Sequence, residues 1–503
     1  MGREGNVPAI GGPPPRGRGR WLVFCLGLFA VVSAVRALGT VTADPDLFGY
    51  LQFGKHFWTT GKFPFTDYGA AYTPVRSRWV YHEWLTGILF YPLQALFGWS
   101  ALQILKWAVG MATFILLFRI AARNNASRTV VLAAGILLLV VMGVAYSPVR
   151  AQVFTYFFFA VILKCCVAWE QGKITATNIF LPLLFPLWAG LHGGVLAGLG
   201  ILGLFSFGAF LRAPSEKGIW LPPMLVLVSG VLLITLFNPY GLDYWSYLIR
   251  AVGMERRFIG EWAPLGKWSR GDLQGRVILA SATLISLGAL AGLIRGVRKN
   301  LPFLIVTGAC VFLGFRHARH LPFLAMSAYV AIALTARRVC LRAERILLVK
   351  RRFRGVWGTI LLLLSVGVFR GTARHLSWRI ETKGNGAGIV YPIAALEVLE
   401  GRGEGGNVAA WFGWGEYITW KTRGRWKVAF DGRYETVYSP ATAKMAFDFY
   451  YAGEGWRRLL ENYPTDAVLL PSRLPVVQKI RRLPKWRVLY EDEKSILLAR
   501  EKL

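Results

Sequence analysis

Asp44 and Asp46 stand one residue apart around Pro45, where the first long apolar run gives way to a loop of aromatics, prolines and glycines. Two carboxylates beside lipid are costly unless a metal, a cation or a substrate proton compensates them. Proline fixes φ and disfavours helix in the residue before it, so the tripeptide reads as extended, its two side chains on different sides. One carboxylate can take the proton of an acceptor hydroxyl while the other orients the acceptor or holds a divalent cation, Mg or Mn. Asp46 also suits the N-cap of a helix over 47–58, which leaves Asp44 with no structural task. Farther along come Asp67, then His82 and Glu83 at the start of the next apolar run, with Trp79, Tyr81 and Trp84 to hold them at headgroup depth. Loops longer than about 12–15 residues are usually functional or disordered, and this one is too aromatic for disorder. Residues 40–83 therefore read as the catalytic loop of a membrane enzyme.

The elements that must hold this loop are apolar. The chain has 503 residues, 54% of them hydrophobic, and its 59 Lys and Arg exceed its 27 Asp and Glu to give a formal charge of +32. No nucleic-acid motif accompanies that charge, so it reads as a topology signal and a contact with membrane lipids. The five cysteines, Cys25, Cys165, Cys166, Cys310 and Cys340, lack metal-ligand spacing and read as free core thiols.

Residues 1–20 form a basic, flexible tail, and 21–370 a transmembrane domain. Apolar runs fall at 21–39, 84–97, 100–118, 129–146, 152–169, 178–211, 219–237, 277–294, 301–315, 321–336 and 355–370. Counting 178–211 as one broken pass, interrupted near His192-Gly193-Gly194, gives about eleven spans. The N-terminus and the basic loop 337–354 are then cytoplasmic, although Arg119, Arg123 and Arg128 fall on the other side. His192 reads as a packing histidine. Residues 371–503 carry no further span. Expected strands at 407–411, 426–430, 467–470, 487–490 and 495–499, with helices at 390–400 and 441–462, make them a small extracytoplasmic α/β domain.

The order DPDLFGYLQFGKHFWTTGKFPFTDY, WVYHEWL and LFYPLQALFGWSALQILK resembles the first external loop and second helix of the GT-C superfamily of polytopic glycosyltransferases, in the bacterial branch of the protein mannosyltransferase and aminoarabinose transferase type. Weaker likeness continues through LWAGLHGG, FNPYGLDYW, IGEWAPL, RHARHLPF, WFGWGEYITW and KVAFDGRYE. The resemblance implies a multi-pass cell-membrane protein that moves a sugar from a polyprenyl-phosphate-linked donor to a glycan, lipid or protein acceptor on the outer face, an acidic residue of the first loop activating the acceptor. Arg316, His317, Arg319 and His320 lie between two spans and suit the donor phosphate. Trp414 and Glu416 sit in a stretch similar in flavour to the acceptor-contacting WWDYG of oligosaccharyltransferases, while Asp431 and Arg433 flank a turn that could add an acceptor contact. A flippase for a lipid-linked glycan, or a non-enzymatic envelope assembly protein, are the competing readings. A flippase is expected to show paired halves, and an assembly protein to have lost its acids.

Overall fold

The computed structural model describes residues 20–501 except 40, 42, 125, 147, 255, 257, 258, 350, 375, 377, 379, 381–389 and 404, without the side chains of 337–354. The tail 1–19 and the Cys340 side chain lie outside the described residues. Apolar runs with no room to hydrate their backbone become helices: α1 Arg20–Leu38, α2 Pro45–Thr60, α3 Trp84–Phe97, α4 Trp99–Arg123, α5 Arg128–Ala145, α6 Gln152–Glu170, α7 Ala176–Leu191, α8 Val195–Arg212, α9 Lys217–Phe237, α10 Leu242–Gly253, α11 Leu265–Trp268, α12 Leu273–Ile294, α13 Val297–Arg316, α14 Leu321–Val349 and α15 Arg351–Ala373. Ten of these segments are long and apolar enough to cross a membrane.

The eleventh crossing is α7. Along α6, Thr155 meets His192, Lys164 meets Thr177 and Glu170 pairs with Arg212. So α7 returns beside α6, and α8 runs back the other way. Residues 178–211 thus pass twice, as a hairpin with His192-Gly193-Gly194 at its tip, and not once as the sequence reading had it. The run 84–97, expected to span, does not cross. Instead α3 lies antiparallel on α2, where Gly54 abuts the Gly87 backbone, and Trp99 at its far end packs on Phe48 near the start of α2. Nearby, Gln103 of α4 donates to the carbonyl of Leu38, so α4 sets out from the face where α1 ends. A 14-residue helix is about 21 Å long, short for a ~30 Å core.

The total of eleven stands, and the exchange has a consequence for charge. Arg119, Arg123 and Arg128 move to the same face as Arg212, Arg295, Arg298 and Lys299. That face reads as cytoplasmic. A cysteine at Glu454 should react with an impermeant thiol reagent in intact cells, and one at Lys173 only after the membrane is opened. The described native thiols, Cys25, Cys165, Cys166 and Cys310, are buried and give little background. The opposite labelling pattern would invert the chain.

Beyond α15 the chain builds α16 Ile393–Gly401, β1 Gly406–Ala410, α17 Phe412–Lys421, β2 Trp426–Val428, α18 Tyr434–Val437, α19 Pro440–Tyr450, α20 Arg458–Asn462, β3 Ala467–Pro471, α21 Pro475–Ile480, β4 Trp486–Glu491 and β5 Ser495–Arg500. The sheet order is β2-β1-β3-β5-β4, parallel across β2-β1-β3 and antiparallel beyond. All five strands fall within two residues of their expected places. The expected helix 441–462 is two helices, because the chain turns at Ala452, whose φ is +55°. The free edge of β2 is closed by the first loop: Val428 N–H donates to the Ala70 carbonyl at 2.9 Å, and Tyr72 N–H to the Val428 carbonyl at 3.1 Å. Loop and C-terminal domain therefore share one sheet edge, which leaves no unpaired β2 strand to the solvent.

Candidate active site

The helix α2 starts at Pro45, and the residue before it is the N-cap. Asp44 is extended, with φ −85° and ψ 147°, and its Oδ1 accepts the Asp46 N–H at 3.1 Å. Proline is favoured at the first helical position, where its missing N–H has no partner to lose. The capping role given to Asp46 from the sequence belongs to Asp44, and only Asp44 of the tripeptide is extended. Its side chain is 4% exposed, against 36% for Asp46.

Arg150, in the link between α5 and α6, draws these groups together. Its Nε lies 2.9 Å from Asp44 Oδ1, a charge contact and not an aligned hydrogen bond. Its terminal nitrogens reach Asp46 at 3.1 Å and Glu261 at 3.3 Å. Glu261 pairs in turn with Arg319, whose guanidinium lies 5.4 Å from the Trp262 ring centre. Three carboxylates and two guanidiniums thus form one chain of ion pairs. Burial would raise Glu261, but Arg319 and Arg150 outweigh it and hold the carboxyl at about 2. Burial pushes Asp44 up to about 7 despite Arg150, so Asp44 can carry a proton at neutral pH.

Next to this chain lies Glu83, raised to about 8 by burial and by the charge of Asp46. Its Oε1 is 3.4 Å from His192 Nε2 and 3.8 Å from His82 Nε2. Gly194 N–H donates to His192 Nδ1 at 2.8 Å, so the ring proton sits on Nε2, facing Glu83. His192 is also bonded to Thr155, which accepts from Trp188, a fully partnered buried histidine. Among 316–320, His317 Nδ1 lies 2.6 Å from the Trp262 carbonyl and His320 packs on Trp262 and Phe323, while Arg316 is exposed.

A second ionic cluster joins the first loop to the C-terminal domain. Arg433 reaches Asp431 at 2.8 Å and Asp67 at 2.5 Å, all three side chains buried. Its guanidinium packs against both Tyr68 and Trp79, at 5.4 and 5.5 Å from the ring centres. Asp67 further accepts from the N–H groups of Gly69 and Ala71. The Asp-Gly-Arg segment, read as a turn open to an acceptor, is folded into this clamp. Trp414 is buried too and donates to the Val390 carbonyl at 2.7 Å.

Glu416 is different. It backs on Gly49 of α2, and a methyl placed on Gly432 would stand 3.1 Å from its Oε2 and 3.5 Å from Asp46 Oδ1. Burial, Asp431 and Asp46 push its carboxyl well up, and its Oε2 is buried without a hydrogen-bond partner. The structure thus gathers Asp44, Asp46, Glu83, Arg319 and Glu416, and adds Arg150 and Glu261, which had no assigned role.

The donor set does not suit a divalent cation. Both Asp44 and Asp46 already answer to Arg150, and among the described residues no three His, Cys, Asp or Glu side chains converge.

No protein-family model matches the chain, and no curated protein matches it in sequence. Solved structures do. The oligosaccharyltransferase of Archaeoglobus fulgidus, tethered to an acceptor peptide with the NVT sequon, aligns with TM-score 0.57 and 13% identity over 96% of this chain and 74% of its own. ArnT from Cupriavidus metallidurans, bound to undecaprenyl phosphate, aligns with TM-score 0.54 and 14% identity over 95% and 98%. Arabinofuranosyltransferase AftD from mycobacteria aligns with TM-score 0.53 and 14% identity over 96% of this chain and 40% of its own. At such identities the likeness is one of fold, and the fold of this chain is that of the GT-C membrane glycosyltransferases.

Proposed function

We propose that the chain is a glycosyltransferase that moves a sugar from a polyprenyl-phosphate-linked donor to an envelope acceptor (a glycan, lipid or protein) on the outer face of the membrane. The observation that carries this reading is the half-buried Asp46 carboxylate, fixed by Arg150 in one ion-pair chain with Arg319. In the reaction the acceptor oxygen bonds to the anomeric carbon as the bond from that carbon to the phosphate oxygen breaks. The phosphate leaves with the electron pair, and Asp46 takes the acceptor proton. Attack opposite the leaving group inverts the anomeric centre. A phosphate ester leaves readily, so the donor end needs positive charge more than an acid. Arg319 and Arg316 supply it, with His317 and His320 framing the site through Trp262. Asp44 caps α2 and presses on Arg150, a positioning task.

Purified protein in lipid, given labelled polyprenyl-phosphate-sugar donors and envelope extract, should transfer label to the acceptor fraction. Transfer should persist after chelation with EDTA, because guanidinium groups hold the carboxylates. Arg319→Ala should weaken donor binding, with Lys recovering part of it as a charge without the fork. Absence of transfer with every donor class, or donor movement without transfer, would overturn the reading and favour a flippase.

A further inference from the structure

On the side of α2 turned away from Asp46 lies a cavity of about 210 Å³, walled by α2, by the first loop near Tyr68 and by the end of α17. The helix supplies Lys55 and His56 from its 52-55-56-59 stripe, well rotated from the 46-50-53 stripe that faces the site. The C-terminal domain supplies Thr419, Trp420 and Arg423. Among the described residues no acidic side chain lines the cavity, whereas Arg150 and Arg433, also near α2, are locked to carboxylates.

The aromatic rings are arranged with the cations. Lys55 Nζ sits 5.9 Å from the Trp420 ring centre, and His56 stacks on Tyr68 at 5.4 Å with the planes 23° apart. Tyr68 Oη is buried and has no hydrogen-bond partner among the described residues. Arg423 holds φ +54° although Gly424 follows it, so a side chain occupies a left-handed position where glycine would be cheaper by roughly 1 kcal/mol. Rings to cover a flat apolar face, with lysine and arginine to meet an anion, are the chemistry of an acidic saccharide.

We propose that this cavity binds a uronic-acid unit of an acidic glycan, with Lys55 and Arg423 on the carboxylate and Trp420 against the sugar ring. If the glycosyltransferase reading holds, that unit belongs to the acceptor, bound beside α2 while another part of the glycan reaches Asp46. The binding itself does not depend on that reading, because it is measured without a donor.

The test uses the full chain in neutral-lipid nanodiscs, titrated with a tri-uronate oligosaccharide and with its neutral hexose counterpart. The tri-uronate should bind and the neutral trimer should bind about tenfold or more weakly, as loss of a charge-assisted contact implies. Lys55→Gln and Arg423→Gln should each weaken the tri-uronate by a similar factor, and both lie at the surface, where folding tolerates them. Trp420→Ala should weaken both trimers. Inorganic phosphate and nanodiscs containing anionic phospholipid distinguish the other sources of an anion. If either competes fully with the tri-uronate, the cavity is a phosphate or headgroup site and the saccharide assignment fails. Unchanged tri-uronate binding in both Gln variants would also overturn it.

Discussion

Asp46→Asn should cut sugar transfer by about 10²–10⁴-fold, the usual contribution of a general base, with the protein at normal abundance in the membrane. The substitution removes proton affinity but keeps size and one hydrogen bond to Arg150. It sits in the first turn of α2 but is not its cap, so the helix should persist. The sequence left Asp44 with no structural task; the cap geometry reverses that reading. Asp44→Asn should keep the cap, since asparagine caps as well as aspartate, and should lower transfer less than Asp46→Asn by loosening Arg150. Transfer and abundance measured side by side decide the matter. Full activity of Asp46→Asn at normal abundance would move the base elsewhere, with Glu83 next in line because its carboxyl, raised to about 8, gains charge only as the pH rises through that value.

The second large effect is one of stability. Arg433→Ala should leave Asp431 and Asp67 buried and unanswered, a loss of about 3–5 kcal/mol of the kind seen when one partner of a buried pair is removed. Both carboxylates come from different parts of the chain, so the loss should appear as separation of the first loop from the C-terminal domain. Limited proteolysis would then cut near 61–83, a segment that the intact clamp protects. A variant that neutralises the whole cluster, Arg433→Met with Asp67→Asn and Asp431→Asn, should recover much of the protection. If Arg433→Ala resists protease and heat as the parent does, the clamp contributes little and the pairing of Ala70 and Tyr72 with Val428 suffices on its own.

The sequence was legible wherever one residue's environment is set by its near neighbours. Long apolar runs, the strands of the C-terminal sheet and the weight of the first loop all came from local pattern. The sequence reading places the cap too late, at Asp46, although a proline at the first helical position marks the residue before it, Asp44. What composition could not supply was direction. Whether 84–97 spans or lies flat depends on its glycine contact with α2, and whether 178–211 passes once or twice depends on which residues of α6 it meets. Arg150 and Glu261 lie more than 100 residues apart and come together with Asp44 and Asp46 only through the fold. Asp67, Asp431 and Arg433 were picked for their charge, and the structure spends that charge on holding two parts of the chain together.

The strand-like pairing of Ala70 and Tyr72 with Val428 also sets a clock on biosynthesis. A ribosome adding about 5–20 residues per second needs on the order of 20–70 s to travel from one partner to the other. Throughout that interval the first loop has left the membrane while its sheet has not been made. It waits as an aromatic segment whose Asp67 has yet to meet Arg433. The acidic pair gains its final setting, with Glu416 and Gly432 beside it, only after the last domain has been made. A chain halted early would be inserted without the partner strand of its first loop, so its acidic pair would lack its final setting.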